Sequence, residues 1–371
     1  MKKRRLFILF IIFILCIVGC KAKEEKVEVQ QRFNTQIAKE KGIQYMERLK
    51  ASDISGANAI STPELAASNK IKELSNMPIV AFQPGNVTET GMSSYIVFFC
   101  SRTNGHLSDA DLDMVTLKIV KSGEEYRVAD VKSDNVKEVY HDKDELRVLT
   151  KGTGSSQLIL RLKDLPLEIY PKGQIPVIKK VTVPKDRYSV IGISYRGSNI
   201  GISTTDGKNS FIGVAIIEEA SIESSARVLD ERVAQDGNAG GGSSTGGGLN
   251  ENTLKKALEK PIAQKISAYD VLEDSQVKRM MFNEEEGFLI VQYTKVNGTS
   301  LGLKIYKNPE GDLLPIEFDK IFPIDKYNIE YVKATKNNII INVTAGDRGN
   351  ASQEILGNYE IDLVKETIEK M

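Results

Sequence analysis

The period of the apolar residues changes once along this 371-residue chain, near Pro78, and that change limits the fold more than any motif does. Before it, Ala38, Gly42, Tyr45, Met46 and Leu49 recur at i, i+4, i+7, i+8 and i+11, the spacing of one helix face, and predict a helix from Asn34 to about Asp53. A short helical piece follows over Asp53 to Ile60. A third helix is opened by Ser61 and Glu64 at capping-box spacing with Pro63 in its first turn, and carries Ala67, Ile71 and Leu74 as its buried stripe. After Pro78 the pattern is that of strands. Ile79 to Phe82 and Tyr95 to Cys100 are short apolar runs, and Val115, Leu117 and Ile119 alternate with Thr116 and Lys118. A turn at Ser122-Gly123 returns the chain through Tyr126 to Val131 as a hairpin.

Helices nearly vanish after about Val136. Four segments share a polar start, a strand, a Gly, Ser or Asn turn and a second strand: Lys143 to Lys163, Asp186 to Thr204, Glu285 to Lys307 and Lys336 to Leu363. Their starts lie 43, 99 and 51 residues apart. One further unit hidden in the middle interval would bring the spacing near 50 throughout, close to the period of propeller blades; one or two β-sandwiches with similar hairpins fit equally. The Gly-rich stretch 236–249 is a linker between β domains or a loop out of one of them. It lacks the Lys-Ser/Thr ending of a phosphate-binding loop. Beyond it, Thr253 caps a short helix that Pro261 ends.

Helices followed by an antiparallel sheet that closes on the hairpin KIVKSGEEYRVADVKSD resemble the NTF2-like, cystatin-superfamily α+β fold over residues 34–135. The expected fold class is therefore an α+β N-terminal domain, helices on a curved antiparallel sheet, with an all-β region, propeller-like or sandwich, over 136–371. The resemblance implies that the first helix packs into the concave face of the sheet over a conical pocket. Family members that are enzymes carry His, Asp or Tyr inside that cone. Here the inward helix face offers only Tyr45 as a polar group, and the strands offer Phe98 or Phe99, according to register, and Cys100. A filled apolar core is expected, with no catalytic residue.

The first nineteen residues read as a secretory signal peptide: Lys2-Lys3-Arg4-Arg5, then thirteen uncharged residues from Leu6 to Val18, too short a run to cross a bilayer before Lys21. Ile17-Val18-Gly19-Cys20 resembles the lipobox of bacterial lipoproteins. That resemblance implies a diacylglyceryl group on the Cys20 thiol, which becomes the first residue of the mature protein. Two acyl chains hold a protein on a membrane where one does not. Residues 20–33 then form the lipidated cysteine and a charged tether. Removing residues 1–19, with four basic and no acidic residues, leaves 46 basic against 50 acidic residues and a net charge of −4, which gives no basic stripe for nucleic acid. With Cys16 in the signal and Cys20 lipidated, Cys100 stands alone, and no intrachain disulfide is available. The absence of Trp and the abundance of Lys, Ile and Asn hint at a low-GC, Gram-positive source.

Chemistry-bearing patterns are sparse. Two histidines, His106 and His141, in polar turn-like surroundings exclude a multi-histidine metal site by count, and no Ser lies in a G-x-S-x-G elbow. Asp109, Asp111 and Asp113 resemble the start of a calcium loop, but Met114 and Val120 stand where Gly and Glu are required, so they read as a solvated turn entering a strand at Met114. Glu284-Glu285-Glu286 and Asp347-Arg348-Gly349-Asn350 read as solvated turns. The expectation is a lipid-anchored, non-enzymatic binding or scaffolding module on the outer face of the cell membrane, with no cofactor, no metal and a protein or envelope partner. The alternative is capture of a small molecule or peptide in the NTF2 cone or at a propeller axis. A hydrolase or isomerase ranks third.

Overall fold

The computed structural model describes residues 33–68, 70, 77–103, 108–172, 179–217 and 259–371. The lipobox with Cys20, the tether, Ile71 and Leu74, His106, the Gly-rich stretch and the Thr253 helix lie outside them. The chain divides into Met1–Asn34 and Thr35–Met371, and every element below belongs to the second unit. No helix among the described residues is long and apolar enough to cross a membrane.

Helix α1 (Thr35–Lys50) buries Ala38, Gly42, Tyr45, Met46 and Leu49 along one face. Helix α2 (Ile54–Ala59) is capped by Asp53, whose Oδ1 accepts the Gly56 amide at 2.8 Å. Helix α3 (Pro63–Ala66) is capped by Thr62 and not by Ser61. Ser61 is buried, donates to the Ala57 carbonyl and bridges to Val128 of the sheet, so burial took the residue that local spacing assigned to the cap.

The sheet under these helices has six antiparallel strands in chain order: β1 (Ile79–Thr90), β2 (Ser93–Thr103), β3 (Ala110–Ser122), β4 (Glu125–Asp142), β5 (Glu145–Thr150) and β6 (Gln157–Arg161). Here the expected fold class fails. No separate α+β, NTF2-like domain ends at residue 135: β4 runs unbroken from Glu125 to Asp142 and pairs onward with β5, from Lys137↔Thr150 to Asp142↔Glu145. The face away from the helices is no domain surface either. Ala110, Leu112, Val139, Leu146 and Val148 enter a core shared with Ile191, Ile193, Ile200 and Phe211 of the next sheet. The chain is mostly β, and of its four α-helices among the described residues three have six residues or fewer.

After a two-stranded ribbon, β7 (Glu168–Ile169) with β8 (Val181–Thr182), come three antiparallel meanders. They are β9 (Arg187–Ile193), β10 (Asn199–Thr205), β11 (Ser210–Ile217) and β12 (Ala263–Leu272); β13 (Ser275–Phe282), β14 (Phe288–Lys295) and β15 (Gly302–Lys307); and, after helix α4 (Phe318–Ile321), β16 (Tyr327–Ala334), β17 (Asn338–Ala345), β18 (Gly357–Asp362) and β19 (Thr367–Lys370). The four expected hairpins are β5–β6, β9–β10, β14–β15 and β17–β18. Among the described residues the long middle interval holds one further antiparallel pair, β11–β12, but it belongs to the same sheet as β9–β10 and is no separate unit. Its strands β11 and β12 complete one meander, and β13 begins the next.

β11 and β12 are hydrogen-bonded neighbours, with Ile217 opposite Ala263, so residues 218–258 connect adjacent strands of one sheet. Where the chain returns, Glu259 is held by charge. Arg147 Nη2 lies 2.9 Å from Glu259 Oε2, the Leu158 amide donates to Oε1 at 3.0 Å, and Glu145 bridges Arg147 (2.7 Å) and Arg161 (3.1 Å). All four charged side chains are nearly buried. They fasten the start of β12 to the β5–β6 hairpin.

Two meanders approach most closely at a glycine. A Cβ on Gly192 of β9 would stand 2.7 Å from the Met280 carbonyl oxygen of β13, a backbone atom that cannot rotate away. Gly192→Ala is expected to force β9 and β13 apart and cost about 1–3 kcal/mol. Urea denaturation with an unchanged midpoint would contradict this close approach. Lys50 at the tip of α1 lies 4.8 Å above the Tyr331 ring and donates to the Val332 carbonyl, tying the first helix to β16. Burial lowers the affinity of this amine for its proton.

Candidate functional site

On β2 the side chains of Ile96, Phe98, Cys100 and Arg102 share one face, by the two-residue period of a strand. The first three are fully buried, Ile96 and Phe98 of them beneath α1. A Cβ on Gly42 of the helix would come within 3.2 Å of both Ile96 Cδ1 and Phe98 Cζ, so the helix sits directly on the strands there. This settles the register left open between Phe98 and Phe99: Phe98 faces the helix, while Phe99 packs on the opposite face against the cores of the later sheets. Cys100 is the one described cysteine, fully enclosed, and burial pushes its thiol up to about 12. That is a packing residue and not a nucleophile.

Beyond the cover of the helix the same face turns from apolar to charged. Cross-strand partners on β3 are Val115 opposite Phe98, Asp113 opposite Cys100 and Asp111 opposite Arg102. Asp111 and Asp113 are therefore not in a solvated turn. The strand starts at Ala110, and both carboxylates lie on its inward face. Arg102, 3% exposed, places Nε 2.7 Å from Asp113 Oδ2 and donates from Nη1 to the Met77 carbonyl at 2.6 Å. Asp113 also accepts from Ser133 Oγ and from Asn135 Nδ2, each at 3.2 Å, both on β4. A buried ion pair satisfied by further hydrogen bonds is the form in which such a pair is tolerated.

This pair floors a pocket of about 690 Å³. Lys70 and Asp130, paired at 2.6 Å, stand at its rim with Lys132, and Met77 and Val131 supply apolar wall. Asp111 lines the same cavity, half-buried. Burial pushes its carboxyl up to about 6; the charges of Asp113, Glu138 and Asp109 add to the shift and Arg102 opposes it. Because the folded value lies above the ordinary 3.8, the stability this group allows is fully present below pH 3.8 and is lost as pH rises through 6. Asp111→Asn is accordingly expected to raise the melting temperature at pH 8 and leave it unchanged at pH 3.5. Melting curves at the two pH values test it, and an equal shift at both would refute the assignment.

Other singled-out residues lie elsewhere. His141 is in β4, half-exposed, with Nδ1 4.0 Å from Asp109 Oδ1. Of the glutamate run, Glu286 is buried at φ +61, and its carboxylate accepts from the Arg196 amide at 2.7 Å and from Asn199 Nδ2 at 2.8 Å. It is an internal brace between β9–β10 and β13–β14. Asp347 accepts from the hydroxyl and amide of Thr299 and from the amide of Ser300, bonds that hold its carboxyl down to about 2 and link two hairpin loops. Among the described residues no three His, Cys, Asp or Glu side chains gather as a metal ion requires. The pocket was missed in the sequence because three aspartates in five residues read as a turn. Extending the Val115-Leu117-Ile119 alternation backward would have put Asp113 and Asp111 on the inward face.

No protein-family model matches the chain. No curated protein matches it either. Solved structures with partial similarity include Kluyveromyces lactis Hsv2, at 8% identity and a TM-score of 0.26, covering 72% of this chain and 78% of that one. The β-propeller domain of Myceliophteria thermophila Cps50 (Swd1) gives 8% and 0.25, covering 71% and 80%. The β-propeller domain of the Trilobed protease from Pyrococcus furiosus gives 11% and 0.18, covering 79% and 96%. Similarity at this level assigns no family to the chain, whose β-rich character rests on its own sheets.

Proposed function

We propose that the chain is an exported binding protein, lipid-anchored to the outer face of the cell membrane and non-enzymatic, which holds a small molecule or peptide in the pocket between β2, β3 and β4. The observation that carries this is the cavity of about 690 Å³ into which charged groups from three strands and Lys70 converge. Concave sites of this size with a few placed polar groups are the usual form of ligand pockets. The seat is not the cone beneath α1, which Tyr45, Met46, Ile96 and Phe98 fill. The three consecutive meanders favour blades of a propeller-like body over a sandwich, and they offer strand edges and loops to a protein or envelope partner.

The anchor rests on the Ile17-Val18-Gly19-Cys20 motif and is tested apart from the pocket. Cys20→Ser is expected to abolish incorporation of labelled fatty acid and to leave the protein unprocessed or released from the membrane fraction. Equal labelling of the variant would sink the anchor. For the pocket, methyl-¹³C methionine labelling reads Met77 directly in a chain with eight methionines. A shift of that signal with any added small molecule supports a ligand seat.

A further inference from the structure

Resting on the reading of the pocket as a ligand seat, we infer that its ligand is an organic cation, an ammonium or guanidinium group on a carbon chain, received by Asp111. Every cation lining the cavity is already engaged within the protein. Arg102 holds Asp113 and the Met77 carbonyl, Lys70 holds Asp130, and Lys132 holds Asp134 at 2.7 Å. A ligand anion would have to break one of these pairs. Asp111 is different: its carboxylate makes no hydrogen bond and no ion pair with a described residue, although it lines the cavity and lies opposite Arg102 on β2.

On its other side Asp111 faces Glu138 of β4 directly across the ladder. Two like charges in that position destabilise a sheet, and a cation beside Asp111 relieves the repulsion. The described carboxylates do not converge three to a point as a metal ion needs, and the cavity is far larger than an ion. The Met77 and Val131 side chains give its wall the apolar surface that suits the carbon chain of an amine.

The test uses the full chain, purified in detergent with methyl-labelled methionine, and follows the Met77 signal against cadaverine, agmatine, succinate and 1,5-pentanediol. Cadaverine and agmatine are expected to saturate the shift at concentrations about tenfold or more below succinate or the diol, the scale of one charge-assisted hydrogen bond. Asp111→Asn should weaken cadaverine by about the same factor while Asp111→Glu retains it, both folded by circular dichroism. Tighter binding of succinate or the diol, or cadaverine binding unchanged in Asp111→Asn, overturns the cation and leaves the seat standing. A Met77 signal that none of the probes moves overturns the seat as well.

Discussion

Replacing Arg102 with Met is expected to lower the stability of the whole unit by about 3–5 kcal/mol, the usual cost of stripping one partner from a buried ion pair. The guanidinium is the only cation within bonding distance of Asp113 among the described residues, and the Met77 carbonyl loses its donor with it. The physical content lies in the second half of the experiment. Arg102→Met with Asp113→Leu removes both charges, and the double variant should recover most of the loss, because apolar replacement of a complete buried pair is often neutral or better. Urea denaturation of the two variants decides it. A single variant as stable as the parent would show that the pair is not buried as described, and a double variant no better than the single would show that the loss lies in packing.

The second large effect is expected at Glu259. Glu259→Ala takes away the carboxylate that receives Arg147 Nη2 and the Leu158 amide, and leaves the nearly buried Arg147 to Glu145, which already serves Arg161. A loss of about 3 kcal/mol or more follows from leaving buried charge unbalanced. Hydrogen exchange adds a local signature. Amides of β12 near Ala263 and of the β5–β6 hairpin should lose protection together, since the Glu259 carboxylate joins them beside the Ile262 N–H to Leu158 carbonyl bond. Loss of protection confined to one of the two would contradict the clamp.

Much of the secondary structure was legible because it rests on local periodicity. The α1 face, the alternation of Val115, Leu117 and Ile119, the hairpin at Ser122-Gly123 and the four later hairpins are short-range patterns, and the strands occur there. The expected domain was not recoverable in the same way. Helices followed by strands are compatible with a closed α+β module, and only long-range pairing decides whether the sheet stops at β4 or continues to β6. The pocket was obscured for a related reason. Aspartate is depleted in strands, so Asp111 and Asp113 argued against the strand that holds them. What overrides that preference is Arg102 of β2, which pairs with Asp113 and stands opposite Asp111 across the ladder. Glu286 shows the same limit: a glutamate among glutamates reads as solvated, yet its partners Arg196 and Asn199 belong to the β9–β10 hairpin of another meander.

The pairing of Ile217 with Ala263 has a practical use. Residues 218–258 leave and re-enter the sheet at one spot, between strands already held by their own ladder and by Glu259. Loop closure varies only slowly with length, about 0.6 kcal/mol per doubling, so exchanging this insert for a four-residue turn would change closure by only about 2 kcal/mol. The position is thus a natural port for genetic cargo: a fluorescent reporter or affinity tag spliced there leaves both termini untouched, including the cysteine on which membrane attachment is proposed to depend.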